Sequence, residues 1–141
     1  MKMKIALINI INKNKNFAVN KDLNGGFGTA DDYDNSLASR VIKFLKSKSI
    51  RIPLVSMAYL QALLKEQGHT VNFYEGTRPK KGDKIDLILI YGSIVDYKCE
   101  NYAAKLLKIS FPDAKVGFCG SFPSRFPSIF SDGDFVLGGE A

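Results

Sequence analysis

The sequence predicts an α/β domain with a Rossmann-like, doubly wound, mainly parallel five-stranded sheet and helices on both faces. Three observations carry this expectation. Short runs that are apolar on both faces, such as Ile5 to Ile10, suit strands covered by helices on either side. Such runs alternate along the chain with segments of helical period, the order that right-handed crossovers wind into a parallel sheet. The length of 141 residues, with 45% hydrophobic and 24% charged residues, fits one domain with a real core.

Taken in order, Lys4 to Ile10 is the first strand. A long polar stretch follows over residues 12–35 and contains Gly25-Gly26-Phe27-Gly28-Thr29; loops of this length in compact domains tend to be functional. Ser36 is placed to cap a helix reaching about Lys48, with Leu37, Val41, Phe44 and Leu45 on one face. Pro53 suits the first turn of a second helix running to Gln67, whose apolar stripe is Met57, Leu60 and Leu64. Gly68 ends it in the left-handed conformation. Thr70 to Tyr74 and Asp86 to Tyr91 read as strands, and the polar connection between them is too short for more than a turn of helix. A third helix spans about Tyr97 to Ile109 and is expected to bury Cys99, Ala103, Leu106 and Leu107, with Phe111-Pro112-Asp113 stopping it. Lys115 to Cys119 is the fourth strand and Asp134 to Leu137 the fifth. The Ser-, Pro- and Phe-rich stretch between them has room only for a short helix. Phe122, Phe126 and Phe130 recur within it at helical spacing and read as core packing.

The net charge of +6 comes from lysines spread along the chain with few aromatics between them. This pattern describes a solvated basic surface, and no nucleic-acid partner is expected. Two cysteines, Cys99 and Cys119, make neither a disulfide framework nor, by themselves, a zinc or iron–sulfur site. The apolar run Ile5 to Ile11 is too brief to span a membrane and leads into Asn and Lys rather than a cleavage site. No membrane span and a cytoplasmic location are therefore expected.

In doubly wound sheets ligands bind outside the carboxyl ends of the strands, where strand order reverses. That rule selects four segments: the loop that opens at Asn12 and contains Gly25 and Gly26, then Gly92-Ser93-Ile94, Gly120-Ser121, and Gly138-Gly139-Glu140. Glycine directly after a strand lets a bulky ligand approach the backbone, and it also suits any tight strand-to-helix turn.

Ile52-Pro53-Leu54-Val55-Ser56-Met57-Ala58-Tyr59-Leu60, continuing to Gln67-Gly68-His69-Thr70-Val71, resembles the first helix and second strand of the cobalamin-binding domains that precede radical SAM domains. Pro112-Asp113-Ala114-Lys115-Val116 to Gly120, with Asp134-Phe135-Val136-Leu137-Gly138-Gly139-Glu140, resembles the closing part of the same domain. The similarity runs from about residue 50 to the end and includes the first strand. It implies a Rossmann-like domain that lays a corrin ring across the carboxyl edge of its sheet. In the group that includes the cyclase of bacteriochlorophyll synthesis, such a domain serves a downstream barrel holding a 4Fe-4S cluster and S-adenosyl-L-methionine for radical methylation or related reactions. Carried over by position, Ser93 and Ile94 match the segment that contacts the corrin or its nucleotide tail. Gly120 and Ser121 match a Gly-Gly after the fourth strand, one glycine being replaced by Cys119. Gly139 and Glu140 match the Gly-Glu that leads to the barrel.

Two departures accompany the resemblance. The chain has no Cys-x-x-x-Cys-x-x-Cys motif and stops at Ala141 where the family continues, so a fragment preceding a radical SAM barrel, present in cis or in trans, is expected. The Asp-x-His-x-x-Gly motif that carries a cobalt-ligating histidine elsewhere is also absent. The single histidine, His69, precedes the second strand and so belongs at the amino edge, about 17 Å from any corrin. A corrin here would receive no protein imidazole, and no protein metal ligand is assigned.

Other readings stay open. Gly25 to Thr29 lies too far beyond the first strand for a phosphate cradle, and could instead fold over a large flat ligand or meet a partner domain. Asp31, Asp32 and Asp34 lack the remaining spacing of a calcium loop. A phosphate-accepting receiver would want acids where Asn9 and Tyr91 stand, and a flavin carrier would want a Ser/Thr-rich loop where Lys13 to Lys15 stand. A Rossmann-like interaction domain that has lost its cofactor is the further alternative. Catalytic residues are not assignable, because in the resembling family they lie in the following domain or on the cofactor.

Overall fold

The computed structural model describes residues 2–11, 36–41, 54–94 and 96–139. Its chain divides into two compact units, residues 1–11 with 55–141, and residues 12–54. The first unit contains β1 (Lys4–Asn9), α1 (Val55–Glu66), β2 (Thr70–Glu75), β3 (Leu87–Tyr91), α2 (Tyr97–Ser110), β4 (Lys115–Cys119), α3 (Ser121–Arg125), a 3₁₀ turn (Pro127–Ile129) and β5 (Phe135–Val136). All strand pairs are parallel, in the order β2-β1-β3-β4-β5, which is that of flavodoxin-type doubly wound sheets. The expected fold class is thereby observed. In the second unit residues 37–41 are helical, and Ser36 Oγ accepts from the Ser39 amide at 3.3 Å, as the expected cap should. The rest of that expected helix, and the 12–35 loop, lie outside the described residues.

Strand alternation sends Ala6, Ile8, Ile88, Ile90, Val116 and Phe118 to one face. There Ala104 and Leu107 of α2 cover them, together with Phe111, Ala114 and Phe130. Ile5, Leu7, Leu89 and Cys119 point to the other face, where α1 packs: the Sγ of Cys119 lies 3.9 Å from the Sδ of Met57. The three central strands are apolar on both sides because both sides are covered. At the end of α1 the amides of Gly68 and His69 donate to the carbonyls of Lys65 and Leu64, with Gly68 at φ +86°, the left-handed stop that its position predicts.

The buried stripe of α2 differs from the expected one. Glu100, Asn101, Ala104 and Leu107 are buried, whereas Cys99 and Ala103 are half-buried and Leu106 is exposed. Only Leu107 belongs to both sets. The helix is rotated by about one residue because two polar side chains face inward and find partners there. Asn101 Nδ2 donates to the carbonyls of Tyr97 and Ile129, and its Oδ1 accepts from the Asp132 amide. Glu100 holds the loop after β3, as described below.

Residues 76–86 connect β2 to β3 across β1 without a helix, as their length requires. The amino edge is instead fastened by carboxylates. Asp86, one residue before β3, accepts from the Lys4 amide at 2.7 Å; Asp134, one residue before β5, accepts from the Val116 amide at 2.8 Å and pairs with Lys108 of α2 at 2.7 Å. The Lys108 hydrogen bond, followed by that from Val116, holds the Asp134 carboxyl below the usual carboxylate range. His69 lies at this same edge, where its Nδ1 accepts from the Met3 amide at 3.1 Å.

Candidate site at the carboxyl edge of the sheet

The strand order reverses between β1 and β3, so the switch point lies beyond Asn9 and Tyr91. The segment after β3 is a closed hydrogen-bonded structure. Ser93 is buried; its amide donates to Glu100 Oε2 at 2.8 Å, its hydroxyl donates to Glu100 Oε1 at 2.9 Å, and the same hydroxyl accepts from the Asp96 amide at 3.1 Å. Glu100 is itself fully buried in the first turn of α2. A carboxylate bonded twice by one residue fixes that residue's backbone. The side chain of Ser93 is therefore committed to the scaffold, and Ile94, 60% exposed, is what this loop presents outward.

Gly92 is buried and overlaid by α3. A side chain there would run into Pro123 and come within 3.0 Å of the Phe130 ring. Its glycine is explained by packing on this side, not by an open approach. Gly120 sits beside it at φ +113°, with the Tyr91 ring and the Gly92 carbonyl against the place a side chain would take, and Ser121 is exposed at the start of α3. Gly138 and Gly139, by contrast, face open space and are exposed. These segments are tied together by Ser124, a residue to which nothing in the sequence pattern draws notice. Its hydroxyl lies 2.9 Å from the carbonyl oxygens of Gly120, Leu137 and Gly139, and its one proton serves all three in turn. The structure thus gathers Gly92, Ser93, Ile94, Gly120, Ser121 and Gly139 along one edge. Asn12, Gly25, Gly26 and Glu140 lie outside the described residues.

Beneath this rim, on the α1 face, two polar atoms are buried with no hydrogen-bond partner among the described residues: Asn9 Oδ1 and Ser56 Oγ. Asn9 is 5% exposed. Elsewhere on the domain, a cleft of about 260 Å³ lies between β2 and the helix-less crossover, lined by Lys4, Asn72, Tyr74, Lys84 and Ile85. It opens on the sheet face and away from the switch point. Among the described residues, no three His, Cys, Asp or Glu side chains come together as a metal site, and no helix is long and apolar enough to cross a membrane.

Protein-family models, curated proteins and solved structures gave no match to this chain.

The thiol nearest the site is Cys119. Burial, and then the charge of Glu100, push its pKa up to about 12 from 9.0. Since the folded value is the higher one, the folded state holds the thiol proton while the unfolded chain loses it. Stability from this group is complete below pH 9 and is lost as pH rises from about 9 to 12. In a Cys99→Ser variant, alkylation of Cys119 by iodoacetamide at pH 8 is expected to proceed at the rate of global opening, and to accelerate in step with urea unfolding. Rapid labelling of the folded protein would contradict this assignment.

Proposed function

We propose that this domain is a cofactor-binding module that holds a corrinoid across the carboxyl edge of its sheet and presents it to a radical SAM domain, in cis or in trans. The observation that carries the proposal is the switch point itself. A parallel 2-1-3-4-5 sheet ends there in a rim that is rigid at Ser93 and open at Gly138 and Gly139. The residues present are compatible with a large flat ligand. Ile94 and Leu137, 60% and 39% exposed, offer apolar surface on either side of the buried Gly92–Gly120 pair. Gly139, at φ +109° with nothing within 4 Å of the place a side chain would take, leaves the backbone accessible.

In this reading, a bound corrinoid supplies methyl-transfer or one-electron chemistry at cobalt. The chain's own part is placement and shielding. Glu100 orders the Ser93–Ile94 loop, Ser124 draws the ends of β4 and β5 together, and α3 closes the side of the rim behind Gly92. His69 is bonded to Met3 at the opposite edge, so this chain would bring no imidazole to a corrinoid held at the carboxyl edge. The reading also entails a cytoplasmic location.

Titration with hydroxocobalamin, followed by visible absorption and gel filtration, tests this. Pigment that co-migrates with the protein in a non-imidazole state is the expected result. An absence of retained pigment up to about millimolar, equivalent to roughly 4 kcal/mol of binding, would overturn the reading for this domain. It would favour an interaction domain that has kept the fold alone.

A further inference from the structure

A doubly wound sheet usually carries a helix over each crossover, and between β2 and β3 this chain has only the irregular segment 76–86. The strip of sheet beside that segment is paired in register: Thr70 next to Lys4, Asn72 next to Ala6, and Tyr74 next to Ile8. By strand alternation these side chains share the face that α2 covers further along the sheet. The missing helix leaves the cleft of about 260 Å³ there. A cavity of about 150 Å³ already holds a benzene ring, so the space suffices for a small organic molecule. Part of the lining is apolar, where Tyr74 and Ile85, both half-buried, pack against the core near the buried Ala6. The rest is polar and includes the side chains of Thr70, Asn72, Lys4 and Lys84. The crossover is held in place by its own turn, in which the Asp83 amide donates to the Lys80 carbonyl at 3.0 Å.

The charges of the cleft select what fits. Its acid, Asp83, accepts from the Lys80 amide at 3.0 Å, and the neighbouring Asp86 accepts from the Lys4 amide at 2.7 Å. Both carboxylates are thus engaged by backbone, and among the described residues none forms an ion pair with Lys4 or Lys84. The segment 76–86 carries Arg78, Lys80, Lys81 and Lys84 against only those two acids. A cation would meet like charge here, and a neutral apolar molecule would leave two ammonium groups without use. A flat molecule with an anionic group matches both parts of the lining. Two lysines, each a point charge able to bind phosphate, suit a dianion better than a single carboxylate. We propose that this cleft binds a small phosphomonoester with a flat ring, the phosphate held by Lys4 and Lys84 and the ring set against Tyr74 and Ile85. The cleft lies away from the switch point, so this site stands whether or not the domain holds a corrinoid.

Phenyl phosphate is the probe, titrated into the isotope-labelled chain at pH 8, where a phosphomonoester is dianionic. Saturable shifts are expected at the amides of Asn72, Tyr74, Lys84 and Ile85, with a Kd on the order of 1 mM. Inorganic phosphate and benzamide each supply half of the ligand, and both are expected to bind at least about tenfold more weakly. Lys4→Gln and Lys84→Gln are each expected to weaken phenyl phosphate about fivefold and to reduce its dependence on salt. Both side chains are exposed, so the melting temperature should stay at the wild-type value in each variant. Shifts that remain linear up to about 20 mM would overturn the site. Equal affinity for inorganic phosphate would also overturn it, by identifying a basic surface that gathers any anion. So would benzamide binding as tightly as phenyl phosphate, or unchanged phenyl phosphate affinity in both lysine variants, either of which identifies a slot that makes no use of the charges.

Discussion

Replacing Glu100 by alanine is expected to cost about 3 kcal/mol of folding stability, measured as a shift of the urea midpoint with the slope unchanged. The fully buried carboxylate accepts two bonds from Ser93, and its removal strands a buried amide and a buried hydroxyl over a cavity of several atoms. Glu100→Gln keeps the shape and one acceptor, and its expected cost is smaller, about 1 kcal/mol. The larger consequence is positional. Without the carboxylate Ser93 loses both bonds that tie it to α2, so faster hydrogen exchange at Ser93 and Asp96 should accompany the loss in Glu100→Ala. A cost below about 1 kcal/mol, with exchange unchanged, would show that the loop is held by other means.

The second large effect is expected at Gly92. A methyl group there meets Pro123 and the Phe130 ring, both part of the buried layer over β3 and β4, so Gly92→Ala should cost about 2–3 kcal/mol through overpacking. Gly138→Ala serves as the control, because a side chain there meets nothing within 4 Å, and it should be neutral or slightly stabilising. If Pro123 is the obstacle, Pro123→Ala should recover part of the loss in the double variant, a coupling readable from a thermodynamic cycle. Equal behaviour of Gly92→Ala and Gly138→Ala would refute the packing explanation.

These two positions also mark where the sequence is legible and where it is not. The strands can be read because their signal is local: apolar on both faces, bounded by turn residues, and hence Lys115 to Cys119 falls where the structure has it. The stop at Gly68 is equally local. The inward face of α2 is misread from the sequence because Cys99 and Leu106 outrank Glu100 and Asn101 in hydrophobicity, and only tertiary partners make two polar side chains cheaper to bury. The carboxyl edge follows from topology, which needs no side-chain detail. What the side chains do along it does not. Ser93 stands out by its place after a strand, while its partner seven residues on has no sequence mark that separates a buried glutamate from a solvated one. Ser124 and the buried oxygen of Asn9 escape for the same reason, since their significance lies in which groups come near them.

The central place of β1 has a consequence for how the chain is made. Lys4 pairs with Thr70 and Ile5 with both Val71 and Leu87, so during synthesis β1 acquires its first neighbour about 66 residues later and its second about 82 residues later. At roughly 5–20 residues per second the wait for the first neighbour is on the order of 3–13 s, during which a strand apolar on both faces stands unpaired. Lys2 and Lys4 on one side and Asn12 to Lys15 on the other act as gatekeepers for this interval, charged or polar residues flanking a segment that would otherwise stack on its like. Replacing those flanking lysines by apolar residues is expected to increase aggregation during synthesis more than it destabilises the finished fold.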